Sequence, residues 1–239
     1  MKRFATIFGL ALIVTLVIGA VATPAAYTSS SDGKSRVLVQ FLPGHREVVQ
    51  NSLKGVGGEI HYTFDDLQTF AVTVPDSALA GLQHNPNIVM IEEDALRYPV
   101  GINQSAGPVE LAEQTVPYGV DMVQARDVWD ENRDGVIDVG APTGDNRTVC
   151  IIDSGFYTGH EDLAGINVSG YDGNLPWDQD YDGHGSHVAG TISAMNNALG
   201  VVGVTPGTVS IYVVRVFGDD GLWAYSSSLI DAANRCADA

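Results

Sequence analysis

The second half of the chain alternates apolar strand runs with helical stretches, and that alternation leaves few folds open. The runs "TVCIIDSG" (148–155) and "VSIYVVRVFG" (209–218) have no consistent polar face, whereas "HVAGTISAMNNA" (187–198) and "YSSSLIDAANRCA" (225–237) read as helices. A strand that is apolar on both sides needs cover on both sides, which a parallel sheet flanked by helices supplies. An α/β unit is therefore expected over residues 113–239. Asp153 closes the first run, at the carboxyl end of a strand, where open α/β sheets place their ligands.

Residues 36–98 follow another plan. "RVLVQFLP" reads as a strand, and "GHREVVQNSLKGVGG" as a helix ended by glycines. "EIHYTFDDLQTFAVTVP" reads as two strands joined near Asp65 and Asp66. "DSALAGLQHNPN" reads as a helix opened by a capping Asp76, with Leu79 and Leu82 at helical spacing. "IVMIEED" closes as a strand, and the order β-α-β-β-α-β is the ferredoxin-like α+β plan. The small, polar residues 23–35 and the Gly/Pro-containing stretch 99–112 read as linkers. At the N-terminus, Lys2 and Arg3 precede a long apolar run that ends in Ala20-Val21-Ala22. This is the layout of a secretory signal peptide over residues 1–22, with an uncleaved membrane anchor as the alternative for so long a run. A cleaved signal implies a secreted, extracellular protein with no membrane association thereafter.

Charge narrows the partners. The chain has 29 Asp+Glu against 12 Lys+Arg, a formal net charge of -17. Such a surface repels phosphate backbones, argues against nucleic acid and attracts cations such as calcium. The two cysteines are Cys150 and Cys236. They can pair in a secreted protein if their Cα atoms come close, and a free buried thiol suits Cys150 in its strand equally well.

The stretch "DGHGSHVAGT" (182–191) brings two histidines, His184 and His187, to the start of a helix whose inner face includes Val188, Ile192 and Met195. Three readings compete. A metal clamp finds no glutamate between the histidines, as the zinc-protease helix H-E-x-x-H has. Two structural histidines are the plainer reading of a bare H-x-x-H. In the third, an aspartate fixes the tautomer of one imidazole and frees its other nitrogen as a base; Gly183 and Gly185 allow the close approach this needs. A separate loop, "DENRDGVID" (130–138), sets Asp130, Asn132, Asp134 and Asp138 around Gly135 in partial match to an EF-hand-like loop, with Ala141 where a bidentate glutamate is expected. Calcium and an acidic surface turn both remain open for it. "DQDYDG" (178–183) is a third acidic cluster, in which Asp182 stands beside the candidate base.

"VCIIDSG", "HEDL" and "DGHGSHVAGTI", in that order, resemble the subtilisin-like serine proteases, the subtilases. "QTVPYGVDMV" resembles the start of their mature enzymes, "NNALGVVGVTP" and "VRVFGDDG" continue the likeness, and residues 36–98 resemble their inhibitory propeptide. The resemblance implies that Asp153 is the triad aspartate, His184 the general base and His187 a supporting histidine. Gly221 and Tyr225 fall at positions where subtilases pair the substrate backbone. A structural calcium is implied at Gln114, Asp162, Asn197 and the carbonyls of Met195, Leu199 and Val201.

The family's serine motif, G-T-S-M-A, does not occur in these 239 residues. Ser226, Ser227 and Ser228 lack a nucleophile turn and are expected to cap the last helix. The implied function is a secreted endopeptidase precursor acting on proteins or peptides, with its own propeptide as intramolecular inhibitor. The alternative is an inactive inhibitor or binding protein acting through residues 36–98.

Overall fold

The computed structural model describes residues 32–99, 113–218 and 223–239. The expected signal peptide and most of both linkers lie outside these residues, as does Gly221.

The N-terminal unit comprises β1 (Lys34–Phe41), α1 (Arg46–Gly55), β2 (Glu59–Phe64), β3 (Thr69–Pro75), α2 (Asp76–Gln83) and β4 (Ile88–Glu93). Its sheet is antiparallel in the order β2-β3-β1-β4. Period-two burial in β1 sends Val37, Val39 and Phe41 to one face. There they meet Phe70, Val72 and Val74 of β3, with Val49 and Leu53 of α1 and Leu79 and Leu82 of α2 closing the core. Each such side chain, fully buried, contributes about 1.5–3 kcal/mol. Asp76 does not cap α2, because it is the first helical residue and Pro75 is the N-cap. Its carboxylate instead accepts the Ser35 hydroxyl at 2.6 Å.

The second unit holds a parallel sheet of β6 (Thr148–Asp153), β7 (Val168–Gly170) and β8 (Ser210–Arg215), in the order β6-β8-β7. Helices α3 (Tyr118–Met122) and α4 (Arg126–Trp129) precede it, α5 (His184–Ser193) lies between β7 and β8, and α6 (Ser226–Asp238) follows. Alternate residues of β6 face opposite helices. Ile151 packs with Ala189 of α5, Ile211 and Val213, while Cys150 forms a disulfide with Cys236 of α6, Cα–Cα 5.7 Å. The pairing left open by the sequence is thereby made. The inward face of α5 is built of small residues, Gly185, Ser186, Ala189 and Ser193, which are buried. Val188 and Ile192 are only partly buried against the core, and Met195 lies beyond the helix end.

Strand pairing and a set of side-chain contacts join the units. Leu96–Arg97 (β5) pairs antiparallel with Ala224–Tyr225 (β9). Asp94, buried, accepts the Ser227 amide at 2.8 Å and its hydroxyl at 2.6 Å. The cap of α6 is therefore a carboxylate from the N-terminal unit and not one of the serines, since Tyr225 is the N-cap and no side chain of the segment caps locally. Arg36 completes the junction, with Nε 2.8 Å from Asp94 and its guanidinium 3.9 Å above the Tyr225 ring. No helix among the described residues is long and apolar enough to cross a membrane.

Candidate active site

β6 delivers Asp153 at its C-terminal end and α5 begins with His184, 31 residues on. Two glycines bring these ends together. A side chain on Gly185 would strike the carbonyl of Gly155, and one on Gly155 (φ 125°) would strike the carbonyl of Gln179. With both positions bare, His184 Nδ1 sits 2.8 Å from Asp153 Oδ1 and 2.9 Å from Oδ2. Asp153 is buried and also accepts the Ser154 amide at 2.7 Å. An ionised carboxylate only accepts, so the proton between them sits on Nδ1, and in the neutral imidazole Nε2 is then the acceptor. This is the arrangement of a general base held in one tautomer. His187, one turn on, is exposed. It lines a mostly apolar cavity of ≈ 910 Å³ with Val120, Leu163 and Val202, a space that includes neither Asp153 nor His184.

The acidic residue that serves α5 is Asp180. Its Oδ1 accepts the Ser154 hydroxyl and the Gly183 amide, both at 2.8 Å. Its Oδ2 accepts the Ser186 amide at 2.7 Å and hydroxyl at 2.6 Å. Burial alone would raise this carboxyl, but the hydrogen bonds from Ser186, Gly183 and Ser154 outweigh it and hold Asp180 below the ordinary carboxylate value. Sequence reasoning singled out Asp182 in this cluster. The available signal for Asp180 was an acid just upstream of a helix start.

The implied calcium residues converge, too. Residues 113–115 zip onto the loop after α5 through bridges Glu113–Leu199 and Thr115–Val201. Gln114 Nε2 then lies 2.7 Å from the Met195 carbonyl, 3.5 Å from Asn197 Oδ1, and 3.2 Å from the carbonyls of both Leu199 and Val201. Four acceptors exceed the two protons an amide can donate. Asp162 joins this loop by accepting the Val201 amide at Oδ2, and its buried Oδ1 has no partner among the described residues. A side chain at Gly200 would strike that carboxylate. Among the described residues no group of three or more His, Cys, Asp or Glu stands close enough to hold a metal ion.

The 130–138 loop is organised around Asp130. Asp130 is fully buried, bonds Arg126 at 2.6 Å and accepts the Gly135 amide. A guanidinium thus already meets the charge of the position-1 carboxylate. Tyr225 ends β9, its ring face under Arg36 and its plane near-perpendicular to that of Trp223, centroids 5.2 Å apart.

Comparison with known proteins identifies the family. The subtilase family profile matches residues 144–238, which include both Asp153 and His184. The chain is 32% identical over 228 residues to subtilisin E of Bacillus subtilis and to subtilisin J of Geobacillus stearothermophilus, covering 92% of this chain and 53% of each relative. The chain belongs to the subtilase family. It spans about half the length of the curated subtilases it matches. M-protease of Shouchella clausii is 32% identical over 169 residues, 71% of this chain and 38% of that protein. Among solved structures, the epidermin leader peptide processing serine protease of Staphylococcus aureus is 19% identical with a TM-score of 0.59, covering 86% of this chain and 48% of that one. That likeness bears on the fold, which is α/β with a parallel sheet.

Proposed function

We propose that this subtilase-family chain supplies the acid–base half of a peptide-bond-hydrolysing site in a secreted endopeptidase precursor. The observation that carries the reading is the 2.8 Å bond between His184 Nδ1 and Asp153. In that reaction a seryl hydroxyl attacks the carbonyl carbon of the scissile bond. His184 Nε2 takes the hydroxyl proton and later returns it to the leaving amine, while Asp153 steadies the imidazolium. Among the described residues the recorded hydrogen bonds of the His184 ring run to Asp153, and the serine is assigned to polypeptide outside them. The matched relatives are proteases, so the stand-alone inhibitor reading is not favoured.

Residues 36–98 act as a ferredoxin-like propeptide, following a signal peptide (1–22) and linker (23–35). A processing linker (99–112) connects them to the peptidase part (113–239). The added strand Leu96–Arg97 and the Asp94 cap support an intramolecular inhibitor laid along the substrate strand that contains Tyr225. Calcium fits the oxygen set of Gln114, Asp162, Met195, Asn197, Leu199 and Val201. With the Gln114 amide turned to present Oε1, the set approaches the six or more oxygens calcium prefers. Bound there, the ion would tie the chain start to the loop after α5, a structural role.

The test expresses the complete reading frame containing this sequence and follows casein hydrolysis and labelling by a fluorophosphonate. His184→Ala should lower turnover by about 10⁶ on the scale set by subtilisin itself. Hydrolysis unaffected by His184→Ala would sink the proposal.

A further inference from the structure

The Asp153–His184 pair depends on two elements meeting at their ends, and neither member holds the other's backbone. Asp180 is bonded to both sides. Through Oδ1 it fixes the Ser154 hydroxyl, which in turn accepts the Gly185 amide at 2.9 Å; through the same oxygen it holds the Gly183 amide. Through Oδ2 it holds both the amide and the hydroxyl of Ser186, and that hydroxyl accepts the Tyr157 amide at 2.9 Å. The residues on either side of His184 and the residue after Asp153 are thus tied to one carboxylate. The Ser186 amide belongs to the first turn of α5 and the Gly183 amide to its N-cap, and neither has an intrahelical acceptor. We infer that Asp180 is the positioning residue of the pair, aiming the imidazole at Asp153 by fixing the first turn of α5 to the end of β6. This rests on reading Asp153 and His184 as the acid–base pair.

Each Asp180 oxygen accepts two donors, so the isosteric amide cannot replace it. Asp180→Asn sets an NH2 group against two donors at one of the two positions. The readout is the His184 Nδ1 proton, followed by proton–nitrogen NMR of the 239-residue chain. Asp178→Asn, an exposed neighbour carrying the same charge change, is the control. Asp180→Asn should speed solvent exchange of that proton about tenfold or abolish its resonance, the equivalent of one charge-assisted hydrogen bond. Asp178→Asn should leave it in place, and both variants should retain a cooperative melt. An unchanged Nδ1 proton in folded Asp180→Asn overturns the inference.

If Asp180→Asn does not fold, Ser154→Ala decides, since it removes only the hydroxyl between Asp180 and Gly185. Faster exchange of the His184 proton supports the inference, and unaltered exchange overturns it. The measurement reads geometry in this chain and not turnover, so it can fail while casein hydrolysis succeeds, and the reverse.

Discussion

Replacing Cys150 and Cys236 together by serine removes the one covalent tie between the sheet and α6. The bridge closes a loop with a sequence separation of 86. For a loop of that length, chain entropy gives about 15 cal/mol/K, or about 4.6 kcal/mol at 25 °C. The loop contains β7, α5 and β8, so the constraint bears on nearly everything that positions His184. For a chain of this size the loss corresponds to roughly 9–18 °C in Tm. Trp129, Trp177 and Trp223, the only tryptophans, all lie in the second unit. Tryptophan fluorescence during guanidinium unfolding therefore reports that unit and not residues 36–98. The expected result is a lower midpoint for the double variant with a steeper slope, because the unfolded chain without the bridge is less compact and exposes more surface. A midpoint that stays within the equivalent of about 1 kcal/mol would refute the view that the bridge constrains the unfolded chain over this loop.

Three further outcomes are expected. Gly185→Ala should abolish the Asp153–His184 hydrogen bond, because its Cβ runs into the Gly155 carbonyl; the check is the His184 Nδ1 resonance, lost together with a lower Tm that reflects about 2–3 kcal/mol of overpacking. Millimolar calcium should raise the Tm of the chain, by about 2.7 kcal/mol of stability at a hundredfold excess over Kd, and Asp162→Asn should remove the response to calcium and to chelator alike. His61 is pushed below its ordinary 6.5, first by burial and then by the Arg36 charge. The unfolded chain then takes up its proton first, so stability falls as pH drops from 6.5 toward the lower folded value, and it is fully present above 6.5. Subtracting the pH–stability curve of His61→Gln from that of the parent should isolate this fall; superimposable curves would discount it.

Part of the site was legible in local signals. Asp153 reads as the last residue of a doubly apolar strand, and His184 as the first of a helix flanked by glycines, but their roles as triad aspartate and base came from resemblance to the subtilases. The clustering of Gln114 with Met195, Asn197, Leu199 and Val201 came from resemblance, since no spacing rule joins residue 114 to a loop some 80 positions away. Asp180 was passed over for Asp182 because both are acids just ahead of α5, and only the path of the chain after Trp177 shows which carboxylate reaches the helix amides. The serines before α6 looked like caps by the same local logic. In three dimensions a carboxylate 133 positions away reaches the Ser227 amide.

The sequence by itself determined the elements and their class. Unbroken apolar runs required a covered parallel sheet, "RVLVQFLP" read as a strand, and the glycines around His184 permitted a close approach. Tertiary structure alone decided the partners. Whether Cys150 meets Cys236, whether Arg126 or a metal neutralises Asp130, and which acid steadies which helix are choices among groups far apart in the chain. Such choices depend on distances of a few ångströms that periodicity does not encode, because hydrogen bonds and ion pairs act only at contact while the patterns that fold the chain act through averaged burial.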